Sequence, residues 1–136
     1  MDIILLLAEE LAYEAHANQF RKDGKTPYIE HVKAVVSKLN DDDGKIVAWL
    51  HDVIEDSHFN ELDLLNRGFP SYIVDAVSLL TKRPGIQYFE YLSNVKKNDL
   101  ARRVKVVDML HNLSDDPSVS QIIKYCKGLL FLIGVE

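Results

Sequence analysis

The sequence predicts an all-α fold, on three observations. Apolar residues return every three or four positions in one segment after another, the spacing that lines them up on one face of a helix. Short breaks rich in Gly, Pro, Asp and Asn separate the segments, and such residues punctuate helices. No run alternates apolar and polar residues with the period of two that a half-buried strand needs.

Asp2 caps a first helix expected over residues 3 to about 21, with Ile4, Leu7, Ala8, Leu11, Ala12 and Ala15 on its apolar face. The basic stretch Arg21-Lys22-Asp23-Gly24-Lys25-Thr26-Pro27 breaks it. A second helix is expected from Tyr28 to about 39, with Val32, Val35, Val36 and Leu39 inward and His31 near its start. Asn40 to Gly44 is a polar turn whose carboxylates cap a third helix, 45 to about 55. That helix holds Trp49-Leu50-His51-Asp52-Val53-Ile54-Glu55-Asp56. A loop over 57–60 leads to a short helix, Glu61 to Asn66, stopped by Arg67-Gly68. Pro70 suits the first turn of a helix over 71–80, with Ile73, Val74, Val77 and Leu80 inward. After the basic loop Thr81 to Gly85, Gln87 to Lys96 is helical with an apolar face of Tyr88, Tyr91, Leu92 and Val95. Asp99 caps a helix over 100–113, with Leu100, Val104, Val107 and Leu110 inward and Asp108 on the adjoining strip. A last helix runs from about Ser118 to Leu130. The expected organisation is one domain over 1–136, with no repeat and no long linker.

Composition narrows the function. A net charge of −5 argues against a polymeric nucleic acid or a membrane surface as partner. The basic residues are clustered locally (Arg21-Lys22 with Lys25, Lys82-Arg83, Arg102-Arg103 with Lys105), so an anionic partner is expected to be small. The single cysteine, Cys126, makes no internal disulfide and no thiolate metal knuckle, which points to the reducing cytoplasm. The apolar runs Ile3 to Ala8 and Leu129 to Val135 are too short to span a bilayer.

The chemistry gathers around His51-Asp52. Apolar residues flank the pair on both sides, and burying an unpaired charge is costly, so a compensating partner is expected. His31 and Asp108 lie on two other predicted helices, also among apolar neighbours. Two imidazoles and two carboxylates neutralise a divalent cation, and mixed N and O donors suit Mn²⁺, Fe²⁺ or Zn²⁺ better than Ca²⁺. Four ligands on a six-coordinate ion leave two positions for water and substrate, the arrangement of a catalytic site. Each residue also has a plainer reading. His31 could cap its helix, and Asp108 could be a polar flank. Arg21 and Lys22 suit a solvated helix end, where the dipole favours cations. Asn112 could be a helix C-cap, and Lys105 a salt-bridge or phosphate residue. His16 and His111 read as structural, and His58 fits either role. Glu55 and Asp56 at a helix C-terminus go against the dipole, which favours a functional reason for them.

Four segments together resemble the HD-domain metal-dependent phosphohydrolases. They are Ala15-His16 through Gln19-Phe20-Arg21-Lys22-Asp23-Gly24-Lys25-Thr26-Pro27-Tyr28-Ile29-Glu30-His31, Leu50-His51-Asp52-Val53-Ile54-Glu55-Asp56, Leu80-Thr81-Lys82, and Leu100 through Leu113. The closer likeness is to the hydrolase domain of the RelA/SpoT alarmone enzymes and their short stand-alone relatives. The resemblance implies a single helical bundle with a metal site between helices. His31, His51, Asp52 and Asp108 would hold one metal, usually Mn²⁺. Glu55 and Asp56 would position or activate the attacking water, and Arg21, Lys22, Lys105 and Asn112 would contact a small nucleotide. The implied reaction removes the 3′-pyrophosphate of (p)ppGpp as PPi.

The sequence departs from that pattern at Met109 and Ser114, where the family usually carries basic residues, and Asp115 and Asp116 follow. A less basic pocket wall is therefore expected. Two alternatives stay open: an HD phosphohydrolase acting on another nucleotide, and a non-catalytic nucleotide-binding module. Apolar and Tyr positions on the last helix serve equally well as core or as a contact between copies.

Overall fold

A helix hydrophobic all round has to be buried, and the segment Ile46 to Leu50 meets that condition: all five residues are buried. In the computed structural model, which describes residues 2–134, this segment belongs to α3 (Asp42–Leu50), which packs against α1 (Ile3–Ala15), α2 (Ile29–Ser37), α6 (Ser71–Leu80) and α8 (Asp99–Leu113). The remaining helices are α4 (Val53–Asp56), α5 (Glu61–Asn66), α7 (Tyr88–Lys96) and α9 (Val119–Ile133). The described residues contain helices, one isolated bridge and no strand. None of the helices is long and apolar enough to cross a membrane. The run Leu129 to Val135 lies in α9 as far as Ile133; Val135 is outside the described residues.

Local caps explain most boundaries. Asp2 accepts from the Ile4 amide at 2.9 Å and starts α1. Asp41 accepts from the Gly44 amide, which starts α3 at Asp42 rather than 45. Asn60 and Ser118 each form a reciprocal capping box with the residue three positions on. Asn98, not Asp99, caps α8. Pro70 sits one position before α6.

Three sequence expectations change. α1 stops at Ala15 rather than about 21, because Asn18 turns the chain at φ 66° and Gln19 to Tyr28 close into a tight hairpin. There the Tyr28 amide donates to Gln19 O and the Arg21 amide to Thr26 O, both at 2.8 Å. Asp23 holds the tip by accepting from the Lys25 and Thr26 amides and the Thr26 hydroxyl. Second, the helix expected over 45–55 is broken. Asp52 leaves helical geometry (φ −108°, ψ 3°), so α3 ends at Leu50 and α4 begins at Val53. Third, the inward face of α8 is rotated from the expected one. Ala101, Val104, Asp108 and Met109 are buried, whereas Leu110 is 52% exposed.

Met109 packs under Gly128 of α9, where an added Cβ would lie 2.6 Å from its terminal methyl. It is therefore core, not pocket wall. This register has a thermodynamic consequence. Met109→Ala leaves a cavity and is expected to lower the unfolding free energy by about 2–5 kcal/mol, whereas exposed Leu110→Ala should change it by under about 1 kcal/mol. Urea denaturation of both variants checks this; the reverse ranking would restore the register expected from sequence.

Candidate metal centre

His31, His51, Asp52 and Asp108 come together, each offering one donor atom, with these atoms all within 4.8 Å of one another. His31 comes from the first turn of α2, Asp108 from the middle of α8, and His51 and Asp52 from the break between α3 and α4. The break matters: it turns consecutive side chains to one point instead of 100° apart around a helix. His31, His51 and Asp108 are only 1%, 2% and 5% exposed. His31 Nε2 lies 2.8 Å from Asp108 Oδ1, and His51 Nε2 lies 2.9 Å from Asp52 Oδ2 and 3.5 Å from Asp108 Oδ1.

The hydrogen bonding around His51 tests whether a cation fits. His51 Nδ1 lies 2.6 Å from the carbonyl of Ala48, which can only accept, so the ring proton is on Nδ1. Nε2 is then a lone pair facing carboxylates, and it is buried with no hydrogen-bond partner despite the nearness of Asp52. Such an orphaned donor atom among two carboxylates and a second imidazole fits a divalent cation. The charge balance agrees. Burial opposes the charged form of His51, but with no cation between them Asp52 and Asp108 outweigh it and favour a proton on Nε2, raising its pKa well above the ordinary value; a bound cation would take that proton's place. Burial likewise works against ionised Asp52, yet His51 brings its carboxyl down to about 2. Asp108 is held well below the carboxylate range by Lys105 and both histidines, against its desolvation. The cluster is built for negative charge that a cation must balance.

Neighbouring side chains fix the ligands in place, as outer partners do in metal sites. His31 Nδ1 is 2.7 Å from His111 Nδ1, so one of the pair donates. With a cation bound at His31 Nε2, the donor in this pair would be His31. His111, expected to be purely structural, therefore orients a ligand-type residue. The Tyr28 hydroxyl donates to Asp52 Oδ2. Lys105 Nζ donates to Asp108 Oδ2 at 3.1 Å, which realises the salt-bridge alternative for that residue. His16 is buried beside Tyr28, with its Nδ1 2.8 Å from Gln19 Oε1.

A cavity of about 210 Å³ opens onto the cluster, lined by Asp52 and Asp108 of the cluster and by Glu55 and Asn112. Glu55 Oε1 accepts from the Lys82 amide at 2.7 Å. Lys82, Lys105 and Lys124 belong to the lining, as do Tyr28, Tyr88, Tyr91 and Tyr125. Lys124 Nζ lies 4.4 Å from the centre of the Tyr88 ring. Asp56 is not on this lining. Its carboxyl is nevertheless pushed up to about 7, first by desolvation and then by Asp52 and Glu55.

A second cleft of about 190 Å³ shares Tyr28 and Asn112 with the first and carries Arg21, Lys22 and Asp115. Its cations are already engaged. Arg21 donates to Asp115 Oδ2 through Nη2 (2.8 Å) and Nε (3.1 Å), and to Asn112 Oδ1 at 3.1 Å. Lys22 donates to the carbonyl of Asp116. Asn112 is not the helix C-cap, since α8 continues to Leu113 and Ser114 caps it. Of the ten candidate residues, Arg21, Lys22, Asp52, Glu55, Lys105, Asp108 and Asn112 line one of the two cavities, His31 and His51 meet Asp108 behind the lining, and Asp56 is off it. Sequence reasoning did not assign Tyr28, Lys82, Lys124 or Tyr125. Tyr28 and Lys82 lay inside stretches already singled out, whereas Lys124 carries no signal that separates it from a solvated lysine.

The HD domain family matches residues 8–129 of this chain. Over 117 residues it is 34% identical to the guanosine-3′,5′-bis(diphosphate) 3′-pyrophosphohydrolase of Haemophilus influenzae, an alignment that covers 76% of this chain but only 17% of that protein. Its fold is shared with a metazoan SpoT orthologue described as hydrolysing ppGpp, with a TM-score of 0.80, 23% identity, and coverage of 98% of this chain and 87% of that one. The chain belongs to the HD domain family.

Proposed function

We propose that this protein is a metal-dependent phosphohydrolase of the cytoplasm that removes the 3′-pyrophosphate of (p)ppGpp, with Mn²⁺ as its metal. The observation that carries the reading is the buried, unpartnered Nε2 of His51 facing Asp52, Asp108 and His31. The similarity to a bacterial ppGpp pyrophosphohydrolase supports the substrate.

In this reading His31, His51, Asp52 and Asp108 hold the ion. A divalent cation there lowers the pKa of a water and polarises a phosphoryl oxygen. Glu55, on the cavity wall, accepts the proton of the attacking water, and Asp56 beside it takes up or shares that proton. Lys82, Lys105 and Lys124 bind the pyrophosphate oxygens as point charges. Water adds to the phosphorus bonded to the 3′ oxygen and the bond between that phosphorus and the ribose oxygen breaks, so ppGpp and water give GDP and PPi. Asn112 and Arg21 contact the nucleotide at the outer end.

One observation favours a second reading, hydrolysis of a less charged nucleotide. Arg21 is already paired with Asp115, so the outer cleft presents little uncompensated positive charge to a distal diphosphate.

A nucleotide panel with Mn²⁺, scored for PPi against Pi, separates the two. Release of PPi and GDP from ppGpp is the expected result. Glu55→Gln should lower kcat by about 10²–10⁴ without loss of bound metal, whereas Asp108→Ala should lose the metal itself, measured by plasma emission. Release of Pi alone, and only from simple nucleotides, would support the second reading.

The pH profile gives an independent check. A proton-accepting carboxylate works only when ionised, so kcat/KM should rise with pH through the titration of Asp56. That carboxyl stands at about 7, and a cation balancing Asp52 moves it lower, so the acid limb is expected at or below that value. Asp56→Asn should remove the limb; an unchanged profile would assign it to another group.

A further inference from the structure

α9 is apolar on both sides, and only one side is covered. Its inner face sends Lys124 and Tyr125 to the cavity and packs Gly128 and Leu132 into the core. Its outer face carries Val119 (73% exposed), Ile122 (41%), Ile123 (51%), Leu130 (48%) and Ile133 (56%), together with exposed Cys126. At 100° per residue these six side chains fall within one stripe about 100° wide, and no charged residue interrupts it. Single exposed apolar residues are ordinary, but a contiguous stripe of this kind marks a contact surface.

We propose that this stripe is the contact between two copies of the chain, which pair antiparallel about a two-fold axis at Cys126. The pattern itself favours a second copy as occupant. Cys126 stands at the middle of Val119–Ile133, and the stripe is close to symmetric about it. Antiparallel pairing sets Val119 of one copy against Ile133 of the other, Ile122 against Leu130, Ile123 against the half-buried Leu129, and Cys126 against Cys126, an apolar partner for each in both directions. That is the self-complementarity an isologous contact requires. The area is sufficient. The stripe offers on the order of 400–500 Å² of apolar surface per copy, and doubling it across the axis approaches the roughly 1,000 Å² that a specific interface buries. Ile133 also lines a cleft with Leu39, Val106 and Val107, where the charged Lys38, Asp41, Arg102 and Arg103 bound the apolar surface. Because α9 carries Lys124 and Tyr125 on its opposite face, the contact would brace one wall of the cavity.

Sedimentation of the 136-residue chain tests this, with twice the chain mass of 15.5 kDa expected. The double variant Ile123→Lys with Leu130→Lys should sediment as a monomer with an unchanged helical circular dichroism spectrum, its dimer Kd raised about tenfold or more. Diamide should join the unaltered chains through Cys126, two thiols giving one disulfide as the diamide is reduced, and Cys126→Ser should dimerise without the cross-link. This cross-link decides the matter if the lysines unfold the chain. A monomeric unaltered chain overturns the proposal. So does a dimer that survives the lysines, or one that fails to cross-link at Cys126.

Discussion

Four lone-pair-bearing groups meet at the inner end of a cavity, three of them buried, and much of the structure answers to that. Two buried carboxylates cannot both stay ionised against a low-dielectric surround unless positive charge meets them. The fold meets them in part with Lys105 on Asp108 and the Tyr28 hydroxyl on Asp52. It leaves the central gap between His51, Asp52, Asp108 and His31 for a cation. The break between α3 and α4 and the bond from His51 to the Ala48 carbonyl point the remaining donors at that gap. His111 does the same for His31.

The electrostatics change along the cavity. Next to the cluster, three lysines stand among tyrosines, a setting for phosphate oxygens. At the outer end the basic residues are neutralised within the protein by Asp115 and the Asp116 carbonyl. Positive charge is therefore concentrated where a bond would break and is thin where the rest of a nucleotide would lie.

Much of this was legible in the sequence, and the parts that were not have physical causes. The helices and their short connections follow from periodicity and caps, and α5 and α6 match their expected ranges. The ligand-type set stood out because ionisable residues among apolar neighbours need a reason. The break at His51-Asp52 was hidden because the apolar pattern runs on through Val53 and Ile54, which are both buried. The end of α1 was hidden because the hairpin is held by side-chain caps and a left-handed Asn18, not by hydrophobic pattern. On α8, periodicity alone allowed two faces. The buried one includes Asp108 and Met109, because the cluster requires the first and the close approach of Gly128 leaves room for the second. Lys124 was illegible because its role depends on where α9 crosses the cavity.

The proposed activity depends on the four residues holding one metal ion. A crystal of the protein soaked in Mn²⁺ and measured at the manganese absorption edge tests this most directly. A single strong anomalous peak is expected within coordination distance of His31 Nε2, His51 Nε2, Asp52 and Asp108. No peak at that point, or a peak coordinated by other residues, would contradict it.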